Sequence, residues 1–179
     1  MNEPEHRRRL FFACDPGRVV RGRILAARPL HQGRTVDADN LHLTLAFLGS
    51  VPEGRLGELY AMAETIQLNS FRLNLDRLGH WRQGGILWMA PSKTPQPLSD
   101  LAAGLARGLA DLGFDPEQRR YKPHITLARR VRGFSAGGAI APVHWWVSGF
   151  HLMESVPVGT GVRYRRLKRW PLLRKPADQ

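Results

Sequence analysis

Two pentapeptides dominate the chain. Leu41-His42-Leu43-Thr44-Leu45 returns in kind, nearly half a chain later, as Pro123-His124-Ile125-Thr126-Leu127. On an extended strand, alternate side chains share a face. His42 and Thr44 therefore point one way and Leu41, Leu43 and Leu45 the other, and His124 and Thr126 oppose Ile125 and Leu127 in the same register. The apolar set anchors each strand. The polar set needs water or a ligand, because a buried imidazole or hydroxyl without a partner costs ~1–3 kcal/mol. A chain that carries this pattern twice is expected to fold as two similar lobes, one His-x-Thr strand in each.

Other patterns fill in the lobes. Leu10–Cys14 reads as a short buried strand, stopped by Asp15-Pro16-Gly17. The spacing predicts helices over Val19–Ala27, over Leu56–Ile66 and over Leu98–Leu112. Strands are expected at Asn40–Leu48, Phe71–Trp81, Gly85–Ala90, Tyr121–Ala128, His144–Met153 and Gly161–Trp170. Gly113 and Pro116 open a loop, and Lys175–Gln179 reads as a frayed tail.

The chain has 179 residues, which at ~100–200 residues per domain means one domain or two small lobes. With 27 Lys and Arg against 15 Asp and Glu, its formal net charge is +12, which favours an anionic partner. The single Cys14 excludes an internal disulfide and a Cys-x-x-Cys zinc knuckle. No apolar run approaches the ~20 residues of a membrane span. Arg7–Arg9 precede only five apolar residues, too few for a signal peptide, so the cytoplasm is the expected compartment.

Two imidazoles and two hydroxyls converging across a groove suit a phosphate. In-line displacement at phosphorus needs a base on the entering oxygen and an acid on the leaving oxygen. Imidazole, with an unperturbed pKa of ~6.5, serves as either near neutral pH. The hydroxyls can hold non-bridging oxygens. His31, His80, His144 and His151 have no acidic or cysteine partner at ligand spacing and read as surface or structural residues, so no metal is expected. Trp145 and Trp146 read as packing residues of a late strand. The run Arg163, Arg165, Arg166, Lys168 and Arg169 reads as a solvated face that can also steer RNA.

The stretch Asn40–Gly49 resembles the first signature of the two-histidine (2H) phosphoesterases, and Pro123–Arg129 the second. Within that superfamily the chain looks like the bacterial RNA 2′,3′-cyclic phosphodiesterases, historically called 2′-5′ RNA ligases. Arg9–Ala13, Leu87-Trp88 and Tyr164–Trp170 support the likeness. It implies an α+β, bilobal, pseudo-twofold fold, with two antiparallel sheets lining a central cleft and helices outside. Residues 1–174 would form one bilobal catalytic domain and 175–179 the tail. It implies metal-independent and cofactor-free opening of a terminal 2′,3′-cyclic phosphate on RNA to a 2′-phosphate. His42 would be the proton donor to the departing 3′-oxygen, and His124 the proton acceptor from water. Thr44, Thr126 and Arg129 would hold the phosphate. With a 5′-hydroxyl in place of water, the reverse reaction would be an ATP-independent 2′-5′ ligation. The expected protein is a monomer whose partners are RNA ends or nucleotides bearing the cyclic phosphate. Small cyclic nucleotides or 2′-5′ oligonucleotides as main substrates are the alternative, and a non-catalytic RNA-binding module is a more distant one.

Strand arithmetic leaves one conflict. Phe47 and Arg129 each lie five positions after their histidine, which ideal alternation puts on the wrong face. Either the strands end or bulge first, letting Phe47 stack on a base and Arg129 grip phosphate, or neither reaches the cleft. Phe11 and Phe12 face opposite ways, so one is core; Phe12 is read as the one lining the cleft wall.

Overall fold

The computed structural model describes residues 6–115, 120–134 and 137–173; Pro116 and the expected tail lie outside them. The elements run β1 (Arg7–Cys14), α1 (Gly17–Ala26), β2 (Arg34–Thr35), β3 (Leu43–Pro52), α2 (Leu56–Glu64), β4 (Phe71–Trp81), β5 (Ile86–Ala90), α3 (Gln96–Asp111), β6 (Ile125–Arg129), β7 (Gly138–Val147), β8 (Gly149–Val158) and β9 (Gly161–Pro171). Short 3-10 turns at Ala38–Asn40 and Glu53–Arg55 lead towards β3 and α2. The expected strand over His144–Met153 is in fact two, β7 and β8, separated at Ser148.

The strand order is β7-β4-β5-β6-β3-β1-β8-β9, with β2 attached to β6 and every strand-to-strand pairing antiparallel. At its centre β3 and β6 share a single register pair, Leu43 with Ile125. Beyond it the strands part, and β2 takes over the edge of β6 at Ala128 and Arg129. The two expected sheets are thus two halves of one sheet, joined through β3 and β6 at this pair, with a further bridge from Asn69, ahead of β4, to Leu173, after β9. The halves do not divide the chain at its midpoint: β8 and β9, the last strands, return to complete the half that β1 and β3 began.

One face of the sheet is the core. Leu10, Phe12, Leu43, Leu45, Leu73, Leu75, Leu87, Met89, Ile125 and Leu127 are buried there with Leu59, Leu98, Leu101, Leu105 and Leu109 of the helices. Helix α3 begins with a proline in its first turn, where the missing N–H costs nothing. Gly113 (φ +77°) stops it in a Schellman turn. Its N–H donates to Ala110 O (2.9 Å) while Phe114 N–H donates to Leu109 O (2.9 Å). Among the described residues no helix is long and apolar enough to cross a membrane.

The structure corrects the reading of Phe12. Leu10, Phe12 and Cys14 share the core face of β1, and Phe12 is 0% exposed, packed against Phe150 (6.2 Å between ring centroids) and Trp170 (5.9 Å). Its neighbour Phe11 takes the groove side. Trp145 and Trp146 divide the same way: Trp145 is buried, and Trp146 is 52% exposed rather than packed.

Candidate active site

His42 and His124 each precede by one residue the single register pair between β3 and β6. In an antiparallel register through Leu43 and Ile125, His42 lies opposite Thr126 and Thr44 opposite His124. Since Leu43 and Ile125 face the core, these four side chains face away from it. The two imidazoles lie near enough for the charge of His124 to act on His42. The register thus brings the two His-x-Thr segments together at one seam.

Two bulges resolve the parity conflict. Along β1 and β3, Ala13 pairs with Thr44 but Phe12 pairs with Ala46, so β3 holds an extra residue. Leu45 and Ala46 consequently both lean to the core, and Phe47 returns to the side of His42. It is 60% exposed there, 5.9 Å from the ring of Phe11. In β6, Trp88 pairs with Thr126 but Leu87 with Ala128, the same irregularity at the same distance from the histidine. Leu127 and Ala128 are both core residues, and Arg129 comes round to the groove, where its charge acts on both imidazoles. Bulges re-aim side chains in this way at the cost of a locally interrupted ladder.

The rings are held alike. His42 Nδ1–H donates to Asn40 O (2.7 Å) and His124 Nδ1–H to Lys122 O (2.8 Å). A carbonyl can only accept, so each neutral ring carries its proton on Nδ1 and leaves Nε2 free to take or give one. Their walls differ. His42 lies against Phe11 (4.9 Å) and edge-on to Tyr164 (4.8 Å, 87°), and His124 lies against Trp81 (4.6 Å, 73°). Trp81 is backed by Trp88 (5.5 Å), whose indole lies so close over Gly79 that a Cβ there would come within 2.0 Å of it. Sequence reading missed Phe11, Tyr164 and Trp81 as walls of the site. In β1 both faces are apolar, and in β4 a register shift between Leu75 and Arg77 turns Trp81 off the core face of Leu73 and Leu75, so alternation alone does not say which residues reach the groove.

Burial lowers the pKa of both imidazoles. His42 is pushed down to about 4, chiefly by desolvation, with the charges of His124 and Arg129 adding to it and the Asn40 carbonyl and Asp15 opposing. His124 is lowered by desolvation and by Arg129, against the opposing bond to Lys122. Both rings are therefore neutral at neutral pH.

Three of the other histidines have hydrogen-bond partners, whereas the buried Nδ1 of His151 has none among the described residues. His80 Nε2–H donates to Val131 O (3.1 Å), His144 Nδ1 bonds Asn74 Oδ1 (2.8 Å) and His31 Nε2 approaches Thr35 Oγ1 (3.4 Å). The dense basic run on β9 is largely spent inside the molecule. Arg165 binds Glu154 (2.5 Å), Arg166 binds Asp15 (2.5 Å), Lys168 binds Glu64 (2.8 Å) and Arg169 binds Ser148 O (3.0 Å).

A groove with two symmetry-related imidazoles, each two positions before a threonine, at the seam of two antiparallel half-sheets defines a two-histidine phosphoesterase fold. Residues 16–157 match the family described as the 2′-5′ RNA ligase superfamily. The chain is 38% identical, over 96% of its length and 99% of the relative, to an RNA 2′,3′-cyclic phosphodiesterase of Escherichia coli K12. It superposes on a crystal structure of a phosphoesterase (TM-score 0.87, 35% identity, 93% of this chain and 99% of that one). It superposes equally on E. coli LigT complexed with 3′-AMP (TM-score 0.85, 35% identity, 93% and 99%). The chain belongs to the 2′-5′ RNA ligase superfamily.

Proposed function

We propose that this protein opens the terminal 2′,3′-cyclic phosphate of RNA to a 2′-phosphate by two-histidine acid–base catalysis. The observation that carries the reading is the twofold placement of His42 and His124, Nε2 free on each, about one register pair. The named activity of the E. coli relative and the crystal structure of E. coli LigT complexed with 3′-AMP support the substrate class. His124 takes a proton from water as its oxygen attacks phosphorus. His42 gives a proton to the 3′-oxygen as the P–O3′ bond breaks. Thr44 and Thr126 donate hydrogen bonds to the non-bridging oxygens, whose charge grows in the transition state. Arg129 supplies a fixed cation beside them, and Phe47 offers a ring face to the terminal base. With a 5′-hydroxyl as nucleophile the same groups run the ATP-independent 2′-5′ ligation. The strained five-membered ester needs neither metal nor cofactor. Residues 1–174 act as one catalytic unit with a His-x-Thr strand from each half, as a cytoplasmic monomer.

The test compares kcat/KM for an RNA oligonucleotide ending in 2′,3′-cyclic phosphate with that for 2′,3′-cyclic AMP and for a 2′-5′-linked dinucleotide. The oligonucleotide is expected to be preferred. Failure to open it would overturn the reading, and preference for either small substrate would shift it to that one.

Protonation predicts a pH dependence. The reactive state carries one proton on the pair, and both pKa values are lowered from the ordinary ~6.5. As pH falls from 8, the pair gains that proton and kcat/KM rises; when the second proton lands, towards pH 4, it falls. The optimum of kcat/KM, which reports the free enzyme, is expected below pH ~6.5. A bound phosphate anion favours protonated imidazole, so the kcat optimum should lie higher. A kcat/KM profile that peaks in the alkaline range would contradict the burial-lowered pair.

A further inference from the structure

We propose that Asn40 is a positioning residue that holds His42 in one tautomer and one orientation. The proposal rests on the reading of His42 as proton donor. Asn40 ends the 3-10 turn Ala38–Asn40, with its N–H donating to Asp37 O (2.9 Å). It is 8% exposed, one of few polar side chains buried in the described residues. Both ends of its carboxamide are used on β9: Nδ2–H donates to Val162 O (2.7 Å) and Oδ1 accepts Tyr164 N–H (3.0 Å). β9 is the outermost strand of its half, paired only with β8. On its open edge the side chain of Asn40 does what the peptide group of a further strand would do.

The backbone carbonyl of the same residue accepts His42 Nδ1–H at 2.7 Å. The strand that the carboxamide grips delivers Tyr164 edge-on to the His42 ring at 4.8 Å. A closed circuit results: the Asn40 side chain fixes β9, β9 presents Tyr164, Tyr164 packs against His42, and His42 bonds back to the Asn40 carbonyl. With Nδ1 committed, Nε2 faces the groove as the only site of proton exchange. Neutral side-chain amides suit this place, since a carboxylate would oppose the Val162 carbonyl and an alkyl group would leave two buried backbone groups unpaired.

The other half lacks this device. The carbonyl behind His124 belongs to Lys122, whose side chain is exposed. The tether beside it is the hydroxyl of Tyr121, which donates to Thr44 O (3.0 Å) across the seam. The stronger hold on His42 accompanies its deeper burial. A ring that must carry its proton to one leaving oxygen gains most from a fixed Nε2.

The test uses the full chain with Asn40→Ala and the milder Asn40→Ser. Three quantities are read: kcat and KM on the cyclic-phosphate oligonucleotide, the His42 tautomer by long-range 1H–15N NMR, and the thermal midpoint. In Asn40→Ala, kcat is expected to fall roughly 10- to 100-fold with KM within about twofold, as for a misplaced catalytic group. The His42 signals are expected to change from the single Nδ1–H form to a mixture of tautomers. Asn40→Ser, which keeps a small polar group, should lose less, and it carries the same readouts if Asn40→Ala does not fold. An unchanged tautomer overturns the proposal, whether kcat holds or falls with stability. The tautomer is read without turnover, so it still judges Asn40 if His42→Ala proves active and the donor reading itself fails.

Discussion

His42→Ala and His124→Ala should each lower kcat by ~10²–10⁴-fold, the usual worth of one positioned acid or base. Neither change should unfold the protein. Both rings precede their strands and lie on the face away from the core, while the adjacent Leu43 and Ile125 that join the halves remain. The double variant should fall little further than the worse single one, because an acid and a base acting in one displacement lose their effect together. Circular dichroism and the thermal midpoint establish that the variants are folded, and single-turnover kinetics measure the loss. A kcat near that of the parent protein in either folded variant would remove that histidine from the chemistry.

Replacing the 3′-bridging oxygen of the cyclic phosphate by sulfur should restore turnover to His42→Ala by ~10²-fold or more and leave His124→Ala impaired. A thiolate departs without a proton, so the substitution supplies what a missing general acid would have given and does nothing for a missing base. The experiment matters because burial alone does not favour this polarity. Burial pushes His42 down to about 4, more strongly neutral than an acid should be. The phosphate is what changes this: its negative charge, set between the rings, favours the protonated form and offsets the repulsion from Arg129. On the proposed assignment, the proton that His42 delivers is acquired with the substrate. Rescue of His124→Ala instead would exchange the two roles, and rescue of neither would end the acid–base assignment.

Much of this was legible in the sequence, for identifiable reasons. The two His-x-Thr pentapeptides carry the strand period and the site in the same few residues, so finding one finds the other. The long apolar stripe of α3, with Leu98, Leu101, Leu105 and Leu109 all buried, left little doubt about that helix. Phe47 and Arg129 were legible only as a conflict, because a bulge is set by which residue the neighbouring strand offers and leaves no local mark. Phe12 was misplaced since Leu10–Cys14 is apolar on both faces: one faces the helices and the other, with Phe11, the groove. Asn40 stood within the quoted signature but carried no role. Its partners, Val162 and Tyr164, lie in the last strand and are brought to it by a topology in which β8 and β9 cross back to the first half. The charge run on β9 shows the reverse limit. A density of arginines suggests a surface field, whereas Glu154, Asp15 and Glu64 absorb most of it.

The most direct measurement follows one oligonucleotide that ends in 2′,3′-cyclic phosphate. It is incubated with the protein in 18O-labelled water, then weighed by mass spectrometry and its phosphate mapped. Attack on phosphorus from the His124 flank with departure at the His42 flank predicts the gain of one water, its labelled oxygen on a phosphate left at the 2′ position. An unreacted ring, or a phosphate left on the 3′-oxygen, would contradict two imidazoles working on that phosphorus from opposite sides in this order.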